Sequence, residues 1–226
     1  MDLRDDPDAE TQTRRLAGFQ ARLVTLLASG LSVYAMYWVV GIVQPQVYRV
    51  SFLLIALILT FVLYPGKPSW RRRVMASDWA LAAVAALVLA WPIFDFDQFV
   101  YRAATPNGLD LLFGGITTIL VLEATRRTVG WILPGTAIGF LVYGYYGPTL
   151  ELLGLEIFAH RGYTVGRLVG TLYMTLEGIF GVPLDVAATY IVLFTIYGAI
   201  LQHSGAGQFF INWAMAAMGR SGGGSG

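Results

Sequence analysis

Long stretches without a charged residue dominate this sequence and limit what the chain can fold into. Residues 186–219 contain no Asp, Glu, Lys or Arg, and neither do residues 23–48. A helix needs about 20 apolar residues to cross the bilayer core. Of the 226 residues, 56% are hydrophobic and 13% charged, whereas a soluble domain carries about 25% charged residues. The chain is therefore predicted to be an integral membrane protein.

Apolar runs predict an all-α polytopic membrane helical bundle with about six transmembrane helices. The predicted spans are residues 23–43, 50–64, 79–94, 109–122, 128–150 and 186–202. Helices satisfy their backbone polar groups within one segment, as lipid requires. A β-barrel would need strands of about ten residues with alternating polarity, and runs such as "LLIALILTFVL" do not alternate.

Basic residues cluster in alternate predicted loops and predict the orientation. The clusters are Arg14, Arg15 and Arg22; Lys67, Arg71, Arg72 and Arg73; and Arg126 and Arg127. The opposite loops carry Arg49 and Arg102. Because Lys and Arg are enriched in cytoplasmic loops, the N-terminus is predicted to be cytoplasmic. Residues 1–22 are predicted to be a solvated tail, since their acidic start is unlike a secretory signal.

The stretch between the fifth and sixth predicted spans is interrupted by glycine and proline. Leu168, Val169, Leu172, Tyr173 and Leu176 form one helical stripe, which predicts an interfacial or re-entrant helix. Gly181 and Pro183 then break the chain. Discontinuous helices are typical of transport sites because they expose backbone groups. Glu177 and Asp185 flank the break. They are either residues of the transport pathway or residues of a solvated loop.

Other polar residues admit a structural and a functional interpretation. Glu123, Arg126 and Arg127 share one helix face at spacings of three and four. They mark either a helix end with basic flanks or a contact that docks the bundle to another membrane domain. Asp95 and Asp97 are predicted to mark the exit of the third span into water.

Features that would indicate an enzyme or a nucleic-acid partner are weak or missing. The chain has no cysteine, a net charge of +1 and no Walker, zinc-protease or dinucleotide motif. No catalytic residue, metal site or nucleic-acid partner is therefore predicted. His160 and His203 are predicted to be interfacial residues. The alternative, a membrane-embedded enzyme or cytochrome subunit, would use these two histidines.

Four short segments carry a resemblance to a known family. They are "LEATRR", "HRGY", "TLEGIFGVPL" and "SGAGQFF", and they occur in this order within residues 48–220. The chain resembles the N-terminal part of the fused permeases of tripartite ATP-independent periplasmic (TRAP) transporters. The type it is most similar to is the one paired with TAXI-class solute-binding proteins.

The resemblance implies a sodium-driven secondary transporter in the bacterial inner membrane. A periplasmic solute-binding protein would deliver an organic acid, Na⁺ would be the coupling ion, and membrane lipid would surround the helices. The implied domains are a small-permease-like four-helix region (23–127), a connecting helix (128–150), a connector (151–183) and the start of the large permease domain (184–226).

The family's sodium- and substrate-binding hairpins do not occur in the chain, and no binding residue can be transferred from the family to a position here. The chain is thus expected to be a front part that works with the remainder of the large permease domain. The alternative is a stand-alone scaffold subunit that docks to a separate large permease.

Overall fold

The computed structural model describes residues 13–14, 16–67, 70, 73–152, 154 and 156–219. The N-terminal residues 1–12, Arg15, Arg71, Arg72 and the terminal residues 220–226, on which several sequence predictions rest, lie outside this described part. Within it the chain forms helices, turns and irregular segments and no strand. The predicted all-α fold class is confirmed.

Eleven α-helices follow one another along the described residues. They are α1 (Gly18–Val40), α2 (Pro45–Leu63), α3 (Ala76–Phe94), α4 (Phe96–Tyr101), α5 (Gly108–Val129), α6 (Ile132–Tyr146), α7 (Thr149–Leu152), α8 (Val165–Val169), α9 (Val182–Val186), α10 (Val192–His203) and α11 (Ala206–Gly219). Two π-helical turns, Gly170–Met174 and Ala187–Ile191, continue α8 and join α9 to α10.

Five helices in the described residues are long and apolar enough to cross a membrane. They are α1, α2, α3, α5 and the continuous helix Val182–His203. Within the fifth predicted span, residues 128–150, the longest helix is α6 with 15 residues. Helix α5 is longer than predicted and runs past Glu123 to Val129, because the charges in its last turns pair with one another. Helix α1 likewise begins at Gly18, within the predicted solvated tail.

Helices α2, α3 and α5 surround the main core. Leu57 and Phe61 of α2, Val88 and Leu89 of α3, and Leu120 of α5 are buried there. Helix α1 packs against α2 and α10, and its Trp38 stacks on Tyr48 with ring centroids 4.2 Å apart. Burial of this apolar surface between neighbouring helices aligns α2, α3 and α5 side by side.

The bundle has two distinguishable ends. At one end α2 and α5 finish and α3 begins. We call it the basic end because it carries Arg14, Lys67, Arg126 and Arg127. The other end, where α2 and α5 begin, carries Arg49 and Arg102 and is called the opposite end.

The stripe predicted to form one interfacial or re-entrant helix is interrupted and enters the bundle. The helical conformation ends at Met174, so Leu176 lies beyond it and is exposed. The chain then turns back, and the Ile179 N–H donates to the Leu172 carbonyl at 2.8 Å. A Cβ at Gly178 would clash with the Leu172 backbone, so the return requires glycine there. Tyr173 and Met174 are buried whereas Thr171 is exposed, so one face of the segment packs into the bundle. The interfacial or re-entrant assignment stays a prediction.

Candidate functional site

Three polar side chains near the start of α2 hold the interrupted segment. The Gln46 amide donates to the Met174 carbonyl at 3.1 Å, and the Tyr48 hydroxyl donates to the Ala188 carbonyl at 2.6 Å. Arg49 is the third residue. We call Gln46, Tyr48 and Arg49 the α2 clamp. The clamp lies at the opposite end of the bundle and contacts the chain on both sides of the break.

Arg49 makes the most extensive contacts of the clamp. Its Nε and Nη2 atoms each lie 3.0 Å from a different carboxylate oxygen of Asp185. Its Nη1 donates to the Phe180 carbonyl at 2.9 Å. The Arg49 side chain is 12% exposed and that of Asp185 is 32% exposed. Contact of two guanidinium nitrogens with the two oxygens of one carboxylate fixes orientation as well as distance, so α9 is held in register with α2.

Two of the carbonyls bound by the clamp belong to π-helical turns. Met174 ends the first turn, and Ala188 lies within the second. A π turn departs from regular α-helical pairing and is frequent at functional sites. Side chains from α2 therefore supply donors where the backbone of the interrupted segment departs from the regular pattern.

The two acidic residues predicted to flank the break have different environments. Asp185 forms part of the clamp contact, whereas Glu177 is exposed on the returning loop, where its N–H donates to Thr175 Oγ1 at 3.2 Å. The structure thus places one of the two in an ion pair and leaves the other facing outward. The pathway role of both residues stays a prediction.

A buried ion network closes the basic end. The two oxygens of Asp78 accept from Arg14 Nη2 and from Arg127 Nη1, both at 2.7 Å. The Arg14 guanidinium also donates to the carbonyls of Phe61, Val62 and Trp70. The side chains of Arg14 and Asp78 are fully buried. Arg14 was expected in a solvated tail, but its guanidinium makes four hydrogen bonds inside the bundle.

The predicted cluster of Glu123, Arg126 and Arg127 forms as its spacing suggests. Glu123 accepts from Arg126 at 2.7 Å and from Arg127 at 2.8 Å. The Arg127 side chain is 3% exposed and points inward to Asp78, whereas those of Glu123 and Arg126 are about one quarter exposed. A docking contact to another domain, which stays a prediction, is therefore open to Glu123 and Arg126 and not to Arg127.

A second network occupies the opposite end and centres on Asp110. This fully buried carboxylate accepts from Trp91 Nε1 and from Arg102 Nε, both at 3.1 Å. Arg102 also contacts Asp95 at 2.6 Å. The hydrogen bond to Asp110, and to a smaller extent the one to Asp95, raises the pKa of Arg102 above its usual value. Of the two aspartates predicted to face water, Asp97 is exposed and Asp95 is in this network.

Sequence reasoning did not identify Asp110 as a buried residue, although the local signal was present. Asn107 caps α5, and its Oδ1 accepts from the Asp110 N–H at 2.8 Å. The Asp110 carboxylate accepts in return from the Asn107 N–H at 3.1 Å. This reciprocal capping box fixes Asp110 in the first turn of α5, from which it reaches Trp91 and Arg102.

The two histidines lie in separate elements. The His160 ring packs against Tyr143, with ring centroids 4.7 Å apart. His203 ends α10, with Nδ1 2.8 Å from the Ala199 carbonyl. Among the described residues, no group of three or more His, Cys, Asp or Glu side chains could hold a metal ion. The interfacial role predicted for both histidines stays a prediction.

Several membrane-length helices and an interrupted helix held by polar side chains define the class of protein. These are the features of a multi-pass membrane protein. Residues 116–226 match the family model described as "Tripartite ATP-independent periplasmic transporter, DctM component". The match supports a membrane permease component of a TRAP transporter, which is a transport protein and not an enzyme. Comparisons with curated proteins and with solved structures gave no match.

Proposed function

We propose that this chain is the bracing part of a sodium-coupled TRAP permease. In this proposal the transporter takes up organic acids that a periplasmic binding protein delivers. The chain lies in the inner membrane with its N-terminus in the cytoplasm, and the remainder of the large permease domain is its main partner. The family match supports the permease component, and the resemblance of the four sequence segments implies sodium coupling, organic acids and delivery.

The α2 clamp is the observation that carries the bracing role. Helix α2 precedes the matched region, which begins at residue 116 and includes the interrupted segment. Arg49 therefore joins the unmatched N-terminal helices to Phe180 and Asp185 inside the matched region. A moving transport element needs a fixed neighbour, and these contacts supply one at the start of α9.

The two ion networks support the same role. Asp78 on α3 binds Arg127 on α5 at the basic end, while Trp91 on α3 binds Asp110 on α5 at the opposite end. Both ends of the α3–α5 pair are thereby tied. Loss of one partner of a buried charge pair such as Asp78–Arg127 strongly destabilises a protein. These ties therefore support a stable α3–α5 pair against which α2 packs.

Transport measurements test the sodium and delivery parts of the proposal. The transporter containing this chain would be reconstituted in liposomes, and uptake of a panel of labelled organic acids would be measured. We expect uptake only when an inward sodium gradient and the binding protein are both present. Equal uptake with potassium in place of sodium would refute the coupling, and equal uptake without the binding protein would refute delivery.

A double-mutant cycle tests the brace itself. Arg49→Gln and Asp185→Asn should each reduce uptake and thermal stability. Arg49→Gln should cost more because it also removes the donor to the Phe180 carbonyl, and the double variant should lose little more than Arg49→Gln alone. Because Asp185 is about one third exposed, the coupling energy should be about 1 kcal/mol or less. The control is Arg161→Gln, an exposed arginine outside the clamp. Additive effects of Arg49→Gln and Asp185→Asn would contradict direct pairing of the two side chains.

A further inference from the structure

A polar cavity of about 460 Å³ lies at the opposite end of the bundle, apart from the clamp. It lies between the turn that follows α4 and the first turns of α8. Its lining consists of Ala103, Ala104, Pro106, Thr164, Gly166, Arg167, Thr171 and Thr175. A volume of this size is in the range of cavities that bind small organic ligands.

The charge of the cavity comes from one side chain. Arg167 is the charged residue among those that line it. Its guanidinium carbon lies 5.3 Å from the centroid of the Tyr163 ring. Arg167 and Tyr163 are both exposed. Stacking on an aromatic face limits the motion of a guanidinium while its N–H edge remains able to donate. Arg102, next to Ala103 in the chain, already binds the nearby carboxylates of Asp95 and Asp110.

Hydroxyl groups complete the polar lining. Thr164 Oγ1 accepts the N-capping bond from the Arg167 N–H at 3.3 Å, so its own proton can be donated to a ligand. Thr175 Oγ1 donates to the Thr171 carbonyl at 2.8 Å, which orients the part of the wall that carries the Thr171 hydroxyl. The small residues Ala103, Ala104 and Gly166 leave space beside these donors.

We propose that this cavity binds a carboxylate group, with Arg167 as the charged donor and the threonine hydroxyls as neutral donors. A guanidinium with neighbouring hydroxyls can pair with both oxygens of a carboxylate. The carboxylate belongs either to a small free acid or to an acidic side chain on a protein that approaches this end. The inference does not rest on sodium coupling or on the bracing role.

Calorimetric titration of the full chain in lipid nanodiscs tests the site. The probes are succinate, with neutral succinamide as its control, and a ten-residue glutamate peptide, with the glutamine peptide as its control. We expect saturable binding of at least one carboxylate probe and of neither neutral probe. Binding of succinate identifies a small acid as the ligand, and binding of the glutamate peptide alone identifies a protein-borne carboxylate.

Two variants and one matched control attribute the binding to the cavity. Arg167→Gln should weaken the dissociation constant about tenfold or more, as loss of a charged donor does, and Thr171→Val should weaken it less. Arg161→Gln, six residues away and outside the lining, should bind as the wild type does. The proposal is overturned if no carboxylate probe binds, or if both arginine variants lose binding equally.

Discussion

Arg14 and Asp78 form an ion pair of 2.7 Å between the segment ahead of α1 and the first turn of α3, and both side chains are fully buried. Asp78 also binds Arg127, which is 3% exposed. One carboxylate therefore compensates two arginines out of contact with water. Removing it would leave both positive charges buried, which costs more than the pair itself contributes.

Replacement of Asp78 by asparagine should strongly destabilise the protein. We expect a loss of about 3–5 kcal/mol, because Arg14 and Arg127 both lose their shared carboxylate. The measurement is thermal unfolding in detergent, followed by circular dichroism. Asp97→Asn is the matched control, since Asp97 is exposed and should tolerate the change. Similar unfolding curves for the two variants would show that the network contributes little.

Two adjacent glycines in α5 should respond differently to alanine. A Cβ at Gly114 would clash with Val169 and Tyr173, whereas a Cβ at Gly115 meets no atom within 4 Å. Gly114→Ala should thus destabilise the protein by about 1–3 kcal/mol. Gly115→Ala should be neutral or slightly stabilising, because alanine favours a helix over glycine. The same unfolding measurement checks both variants, and equal stability of the two would contradict the close contact between α5 and α8.

The hydroxyl of Tyr173 replaces a backbone donor that α3 lacks. Pro92 has no N–H for the Val88 carbonyl, and Tyr173 donates to that carbonyl. Tyr173→Phe should cost about 1–3 kcal/mol, since a buried acceptor is left without a donor. In a Pro92→Ala background the alanine N–H can reach the Val88 carbonyl, so the same change should cost less. An equal cost of Tyr173→Phe in both backgrounds would show that the Tyr173 hydroxyl does not replace the N–H that residue 92 lacks.

The predicted orientation can be tested with single cysteines, because the natural chain has none. Lys67 at the basic end and Asp97 near the start of α4 are both exposed positions. With a cytoplasmic N-terminus, Asp97→Cys should react with a membrane-impermeant maleimide in spheroplasts. Lys67→Cys should react only after permeabilisation. The reverse pattern would mean that the basic end faces the outside.

Hydropathy predicted the helices well because each apolar run satisfies its own backbone in a helix. Their ends were predicted less well, since the end of a helix depends on partners elsewhere in the chain. Glu123 and Arg127 are charged and appeared to end the fourth span, yet α5 continues past them because they pair with each other and with Asp78.

The site was predicted only in part for the same reason. The glycine and proline break predicted a role for Asp185, and in the structure Asp185 pairs with Arg49 of the clamp. Gln46 and Tyr48 gave no sequence signal, because their partners are the carbonyls of Met174 and Ala188. A backbone carbonyl is present at every position, so its use by a distant side chain leaves no mark in the residue pattern.

The sequence alone determined that this chain forms apolar helices of membrane-spanning length, interrupted near Gly181 and Pro183. These properties depend on local composition and backbone chemistry, which any short window of the chain contains. Tertiary structure decided which polar groups are buried and what they bind. Arg14 and Asp78 pair across 64 positions and Arg49 and Asp185 across 136, and only the packing of α2, α3 and α9 brings such distant groups together in a medium where an uncompensated charge is unstable.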